Sequence, residues 1–491
     1  MQKPDLKLIK APCLMAFDLP LADGSVLAVS EVVRVVPNKR VVCKALWNNQ
    51  QVYAKLFIGA NAKRYAQRDK RGVQALINAH IATPDLLYAG NTDFAEVLIF
   101  KAIAAQNAEV LYQQLLESQQ KQERLQLVLQ LTKAMAQLHS ANLQQTDLYL
   151  KNFLVEANAI YAIDGDGIQP FSALFKKRQK QRNFATLLSK LDALDSDWID
   201  DCYTHYCQLT GAIYSVSDYT AIYLLTQKLR KQAASRFADK KVFRTCTDVK
   251  VSQNFNHFTA TSSDFDAKNL TVEQLDSALN DTKDRLKSGN TCTVGSAIIG
   301  NQQVVIKRYN IKNCLHGFKL GFSQSRAEKS WANAHRLAIS NVATAKPLAL
   351  IEARFGWIKR RAYFLSANVF APDIAEFFAQ DHDVLTKQKV AYETALLFYK
   401  LNLLQISHGD CKASNIKILD GKPVLIDLDS MQAHTCSWWF EKKHIKDLKR
   451  LMQNWDNHPE TIAIFKQAFV QAYDEIDDYM LPTILERAKI A

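Results

Sequence analysis

The chain has no run of about eighteen consecutive apolar residues, so no membrane-spanning helix is expected. Its start, MQKPDLKLIKAPCLMAFDLP, lacks a continuous apolar core and carries Asp5 and Asp18, which argues against a secretory signal there. The nine cysteines are odd in number and scattered. Only Cys202 and Cys207 lie near each other, and no CxxC pair with matching histidines occurs. This pattern fits a reduced, cytosolic protein without structural zinc. Low-complexity segments are also missing.

What is present is the composition of an ordinary globular protein, 48% hydrophobic and 23% charged over 491 residues. That length is too great for one compact core, and two units are expected. The formal net charge is +13, which favours anionic partners such as nucleic acid, an anionic bilayer surface or a phosphorylated substrate. The charge is spread through both halves rather than gathered in a tail, which argues against a nucleic-acid-binding arm.

The strongest signal is a repeat. The pattern Asp-x4-Asn-x11-Asp occurs as Asp147, Asn152, Asp164 and again as Asp410, Asn415, Asp427. Each pair is separated by 263 positions (410−147, 415−152, 427−164). The first aspartate can orient an attacking hydroxyl or accept its proton. The asparagine and the last aspartate, which follows a short strand in both VLIDLDS and YAIDGDG, suit a hard metal ion bridging phosphates. One such aspartate is most often a turn or cap residue, but the complete set at identical spacing makes coincidence a poor explanation. Tandem kinase-like units that transfer a phosphoryl group from ATP are expected.

Each half places a lysine in an apolar β-rich run: Lys55 in VYAKLF and Lys307 in VVIKRY. Such a lysine either snorkels to water from an edge strand or reaches a buried partner. The downstream cassette favours a phosphate-binding role. Hairpin turns are expected at Pro37-Asn38, Asn48-Asn49 and Gly300-Asn301. Helices are expected from Tyr65 to Ala79 and over SRAEKSWANAHRLAIS. A leucine-rich buried helix precedes each cassette. The polar stretch between about 234 and 264 marks the junction, dividing the chain into 1–240 and 241–491, and part of it reads as an entry strand of the second unit.

HGDCKASNIKI followed by VLIDLDS resembles the catalytic and metal-binding segments of the eukaryotic-like kinase superfamily. The fuller resemblance is to the bacterial lipopolysaccharide kinase family, the Kdo and heptose kinases of the inner core. It is carried by RVVPNKRVVCKALWNNQQVYAKLF, AHIATPDLLYAG, LHSANLQQTDLYLKNFLVE, AIDGDGI, SRAEKSWANAHRLAISNVATAKPLALIE and HGDCKASNIKI. It implies an α+β fold of two tandem bilobal kinase-like domains, each with a small sheet lobe carrying one helix and a mainly helical large lobe. It implies ATP and Mg2+, a core-sugar acceptor, and a peripheral place on the anionic cytoplasmic face of the inner membrane, without nucleic acid. Carried over by position, Lys55 and Lys307 bind phosphate, Asp147 and Asp410 are catalytic, and Asn152, Asp164, Asn415 and Asp427 hold metal. Lys412 adds a phosphate contact and Asp69 pairs with the first lysine.

Several positions depart from that pattern. Neither half has a GxGxxG loop. Pro37-Asn38-Lys39-Arg40 and Ser288-Gly289-Asn290 stand in its place, so basic side chains or another loop must cover the phosphates. His408 has Gln145 as its counterpart, and Lys412 has Tyr149. Gly165 and Leu428 replace the aromatic of the DFG sequence. Opposite Lys307 the helix places Ser330, with Glu328 turned about 200° away. Asp447 is read as a brace for the catalytic loop, with Asn183 near that place in the first half.

Beyond each cassette lie PFSALFKKRQKQRNF and SWWFEKKHIKDLKRLMQNW. Both read either as contacts to a phosphorylated glycolipid or anionic leaflet, or as solvated basic helix faces with Trp438 and Trp439 in the core. Two other functions stay open: a kinase for a protein or small soluble acceptor, and a scaffold in which one half binds without turnover.

Overall fold

The structure is a computed structural model that describes residues 13–157, 159–266, 270–280, 285–288, 292–310, 324–356, 358–474 and 481–490. It mixes helices with antiparallel sheets, an α+β architecture. Two compact units divide the chain: Met1–Leu191 with Asp195–Leu229, and Asp192–Leu194 with Arg230–Ala491. Among the described residues no helix is long and apolar enough to cross a membrane.

The first unit opens with a six-stranded antiparallel sheet in the order Cys13–Pro20, Val26–Val36, Arg40–Trp47, Gln50–Phe57, Glu96–Lys101, Leu86–Asn91. Its hairpins fall where the asparagines demand them. Asn48 and Asn49 both adopt positive φ, 47° and 60°, the conformation of the tight turn whose twist matches paired strands. Asn38 does the same at 56°. Alternate residues of Arg40–Trp47 and Gln50–Phe57 point into a core that includes Val41, Cys43, Val52 and Ala54. On the other face, Phe57, Leu98 and Phe100 meet Ala66 and Val73 of the helix Ala62–Asn78. The remaining helices, among them Lys121–Ser140, Lys176–Leu188 and Ile199–Thr210, share a second core around Leu131, Met135, Phe184 and Cys202.

The second unit has a seven-stranded antiparallel sheet in the order Val249–Gln253, His257–Ser262, Pro347–Phe355, Ile358–Ala367, Gln302–Tyr309, Cys292–Ile299, Arg285–Ser288. The polar stretch read as a junction thus supplies two of its strands, Val249–Gln253 and His257–Ser262. The helix Arg326–Ile339 begins with a capping box, Ser325 and Glu328 each taking a backbone N–H of the other. Its buried face includes Trp331, whose indole Nε1 donates to Val242 O at 3.0 Å. The helix Val384–Leu404, with Phe398 and Leu401 fully buried, underlies the second cassette. Gly289 and Asn290 lie outside the described residues.

The helix Ala62–Asn78 approaches the turn Gly165–Gly167 closely enough to exclude side chains from both. A Cβ on Gly72 would stand 1.9 Å from Gly165 O, and one on Gly165 would stand 2.3 Å from Asp69 O. Neither backbone can retreat without moving the helix. Gly72→Ala is therefore expected to destabilise the first unit by about 1–3 kcal/mol or more, read as an earlier first transition in urea or thermal unfolding. An unchanged profile would show that the helix is free to shift.

Candidate functional site

In the first unit the lysine strand, the following helix and the end of a short hairpin converge. Lys55 lies in Gln50–Phe57, opposite Val42 and Leu98 on its neighbours. Its ammonium, largely buried, sits 2.7 Å from Asp69 Oδ2 and 3.3 Å from Asp164 Oδ1. The snorkelling alternative for this lysine is thereby set aside. Asp69 has no exposed surface. Burial pushes its carboxyl above the ordinary range, with Lys55 acting against that shift. For Asp164 burial also pulls upward, but Lys55 and then Arg40 outweigh it and leave the group below its ordinary value.

Sequence reasoning offered Arg40 only within Pro37-Asn38-Lys39-Arg40, as basic cover for phosphates, and not as a partner of Asp69 and Asp164. Its Nη1 lies 3.5 Å from Asp69 Oδ2 and 3.4 Å from Asp164 Oδ1. Two cations and two carboxylates therefore share one buried cluster. As the first residue of the strand after that turn, Arg40 lies opposite Phe57 at the end of the next strand. Lys39, from the same turn, pairs with Asp166 at 3.1 Å. Asp166 also pairs with Arg68 of the helix.

Asp147 and Asn152 follow a short strand, Leu143–Gln145. Asn152 Nδ2 donates to Asp147 O at 2.8 Å, closing the loop between them. The Asp147 side chain is exposed. Gln145 Nε2 donates to Asp164 O at 3.2 Å, and Asn183 Nδ2 donates to Gln145 O at 2.8 Å. Tyr149 is exposed and carries the ammonium groups of Lys151 and Lys190 at 5.1 and 4.8 Å from its ring centroid.

The second unit repeats the arrangement with different support. Lys307 Nζ lies 2.9 Å from Asp427 Oδ1. Burial raises the Asp427 carboxyl, but Lys307 more than offsets it and the net shift is downward. Asp427 has φ +60°, in the left-handed region, whereas Asp164 is extended at −125°. The helix supplies Lys307 with no carboxylate. Ser330 Oγ is 3.0 Å from Tyr309 Oη, and Glu328 is committed to Lys359, to Arg354 at 3.4 Å and to its own helix cap. Asp429 grips Arg326, the first residue of that helix, at 2.6 Å, as Asp166 grips Arg68.

Around Asp410 the hydrogen bonds are denser. Asn415 Nδ2 donates to Asp410 O at 2.9 Å and to Asp410 Oδ2 at 3.1 Å. Lys412 Nζ stands 3.3 Å from Asp410 Oδ2. His408 is fully buried and its pKa is lowered, burial being the main cause. As a neutral ring it donates from Nε2 to Ile426 O at 3.0 Å and accepts at Nδ1 from Asp410 N at 3.4 Å. Gln145 in the first unit reaches the adjoining carbonyl of its own hairpin, which explains how an amide stands where an imidazole is otherwise found. Asp447 accepts from His408 N at 2.7 Å and from Gly409 N at 3.0 Å. Asn183, at the matching place, donates to a carbonyl instead.

The basic segments beyond each cassette differ from one expectation. Trp438 and Trp439 are not in a core: they are 54% and 57% exposed. They occupy the first turn of the helix Ser437–Met452, whose buried face is carried instead by Phe440, His444 and Leu448.

The oxygen-rich sets Asp164 with Asn152 and Asp427 with Asn415 suit a hard divalent cation. Among the described residues no three or more His, Cys, Asp or Glu gather as a metal cage. A cation held by one carboxylate and one amide would complete its shell from phosphate and water, as Mg2+ does.

Asp447 offers a test of the loop's support. Burial lifts its carboxyl from 3.8 to about 6, the two backbone N–H groups acting against the shift. The folded pKa exceeds the unfolded one, so the folded chain holds an extra proton between them. That stabilisation is complete below about pH 4 and is lost as the pH rises through about 6. Relative to Asp447→Asn, wild type should lose up to about 3 kcal/mol of stability between about pH 4 and pH 7, measured by denaturant unfolding. A gap that does not vary with pH contradicts this.

A comparison with curated proteins gives no match. The profile of the Lipopolysaccharide kinase (Kdo/WaaP) family matches residues 58–204 and 301–473, one segment in each unit and more than half of the chain. With both matched segments holding a complete Asp/Asn/Asp set, the chain belongs to the lipopolysaccharide kinase (Kdo/WaaP) family, a family of phosphotransferases.

Proposed function

We propose that the chain is an ATP- and Mg2+-dependent kinase that phosphorylates a sugar hydroxyl, a heptose, of the lipopolysaccharide inner core at the cytoplasmic face of the inner membrane. The observation that carries this reading is the lysine ammonium set on the strand-end aspartate in both units, Lys55 on Asp164 and Lys307 on Asp427. In a nucleotide-bound unit that ammonium would turn to the phosphates, and its place beside the metal-binding aspartate keeps both within reach of one triphosphate. Each unit is then a bilobal kinase domain, with the nucleotide between its sheet and its helices.

Asp410 and Asp147 orient the acceptor hydroxyl and take its proton as the bond to phosphorus forms. Asn415 steadies Asp410 by its bond to Oδ2 and so fixes the direction in which the carboxylate faces the acceptor. Lys412 balances charge on the transferred group. Mg2+, held through Asp427 with Asn415 and through Asp164 with Asn152, would neutralise charge developing on the phosphate oxygens. Arg40 and Lys39 supply in the first unit the positive cover that a glycine-rich loop gives elsewhere.

A division of labour between the units is favoured by one difference. The second catalytic loop has two N–H groups tied to Asp447, and the first has none on Asn183. We assign turnover principally to the second unit, with the first binding nucleotide.

The test is phosphoryl transfer from ATP with Mg2+ to deacylated core oligosaccharide. Asp410→Ala should lower kcat by about a hundred- to ten-thousand-fold, and Asp147→Ala should lower it less. Equal activity in wild type and both variants would refute the site. Transfer to a protein or small soluble acceptor in preference to the oligosaccharide would refute the substrate.

A further inference from the structure

Both units expose a pair of large apolar residues at the start of the helix that follows the cassette. In the first, Leu174 and Phe175 are 72% and 69% exposed, just before Lys176–Leu188. That helix opens with Lys176, Lys177 and Arg178, continues with Lys180 and Arg182, and has no acid in its first turn. In the second, the exposed pair is Trp438 and Trp439, with the Lys442 ammonium 3.5 Å from the Trp438 ring centroid. Apolar side chains grouped in this way on a surface mark a contact rather than a scattered exposure.

The first pair is fixed in place. Gln179 Nε2 donates to Leu174 O at 2.7 Å and to Ser172 Oγ at 3.0 Å, while its Oε1 accepts from Ser172 N at 3.2 Å. Phe175 has φ +61°, a left-handed conformation that costs energy for a bulky residue. The chain thus holds a strained backbone with a glutamine clamp, and the result is two apolar side chains left in water.

The same helix walls a cavity of about 480 Å³ lined by Lys176, Lys180, Tyr203, Tyr206 and Ile213. Lys177 also lines it but is neutralised by Asp218 at 2.8 Å. Lys180 is partly buried, and its ammonium is held below the ordinary lysine value by burial and then by Lys176. Two mutually repelling ammonium groups in one cavity gain from an anion placed between them. Ile213, on the rim, is 91% exposed.

We propose that this cavity binds the phosphate-bearing head of an anionic membrane lipid while Leu174, Phe175 and Ile213 enter the acyl layer. The inference rests on the membrane-borne acceptor proposed above and names the residues that would meet the bilayer. A bilayer surface presents an anionic plane directly over an apolar layer, and lysines beside exposed leucine and phenylalanine match that order. Nucleic acid would satisfy the lysines and leave the apolar side chains in water.

The test is co-sedimentation of the full chain, without nucleotide, with vesicles of phosphatidylglycerol and phosphatidylcholine or of phosphatidylcholine alone. Wild type should bind the anionic vesicles and not the neutral ones. Leu174→Ser/Phe175→Ser should weaken that binding about tenfold or more. Lys176→Gln/Lys180→Gln should weaken it about fivefold per charge removed. Both variants should phosphorylate soluble, deacylated oligosaccharide as wild type does. Unchanged vesicle binding in the first variant would overturn the insertion, as would release of wild type from vesicles by millimolar inorganic phosphate, which would make the cavity a soluble-anion site. Absence of any kinase activity in wild type would fail the kinase reading alone, since the vesicle result is read without ATP.

Discussion

A buried ammonium group that must be matched by carboxylates organises each unit. Lys55 in the interior of a sheet would be ruinous without partners, because an unpaired buried charge costs several kcal/mol. Its partners come from far along the chain: Asp69 from the helix Ala62–Asn78 and Asp164 from the end of a hairpin. Meeting that requirement fixes where the helix lies and how close the hairpin comes. The helix crosses the turn after Asp164 so tightly that Gly72 and Gly165 have no room for a side chain. The glycine that replaces an aromatic residue after Asp164 is thus a consequence of the charge cluster.

The second unit meets the same requirement with fewer carboxylates. Among the described residues Lys307 pairs with Asp427 and no second carboxylate, and Glu328 of the helix is spent on its own cap and on Lys359 and Arg354. Asn333 sits where the helix faces the turn and donates to both Leu428 O and Met431 O at 2.9 Å, holding the two elements together by hydrogen bonds rather than by close approach. What the second unit lacks at the lysine it gains before Asp410, where Asp447 and His408 tie the backbone from two sides. The units keep the lysine and the Asp/Asn/Asp set and differ in what holds them.

Much of this was legible in the sequence because it is local. The cassette spacing singled out Asp147, Asn152 and Asp164 and their counterparts Asp410, Asn415 and Asp427, and the Asn48-Asn49 and Gly300-Asn301 turns placed the strands. The lysine strands followed from apolar residues around a charge. Arg40 was legible only as a basic residue in the stretch that could cover phosphates; its pairing was not, since that depends on where a turn sets it against an aspartate 124 positions later. Nor was the fate of Glu328, which turns on competition between three basic or capping partners. Of the two readings open for Trp438 and Trp439, the core one fails: they stand two and one positions before Phe440, where the helix's buried stripe begins, and helical phase rather than hydrophobicity decides exposure.

The central claim is that the chain carries two separate nucleotide sites, each built on one carboxylate-paired lysine. Isothermal titration of the full chain with Mg2+ and a non-hydrolysable ATP analogue tests it most directly. The account predicts two equivalents bound by wild type and one by each of Lys55→Met and Lys307→Met. No binding to wild type, or a stoichiometry that neither substitution changes, would contradict it.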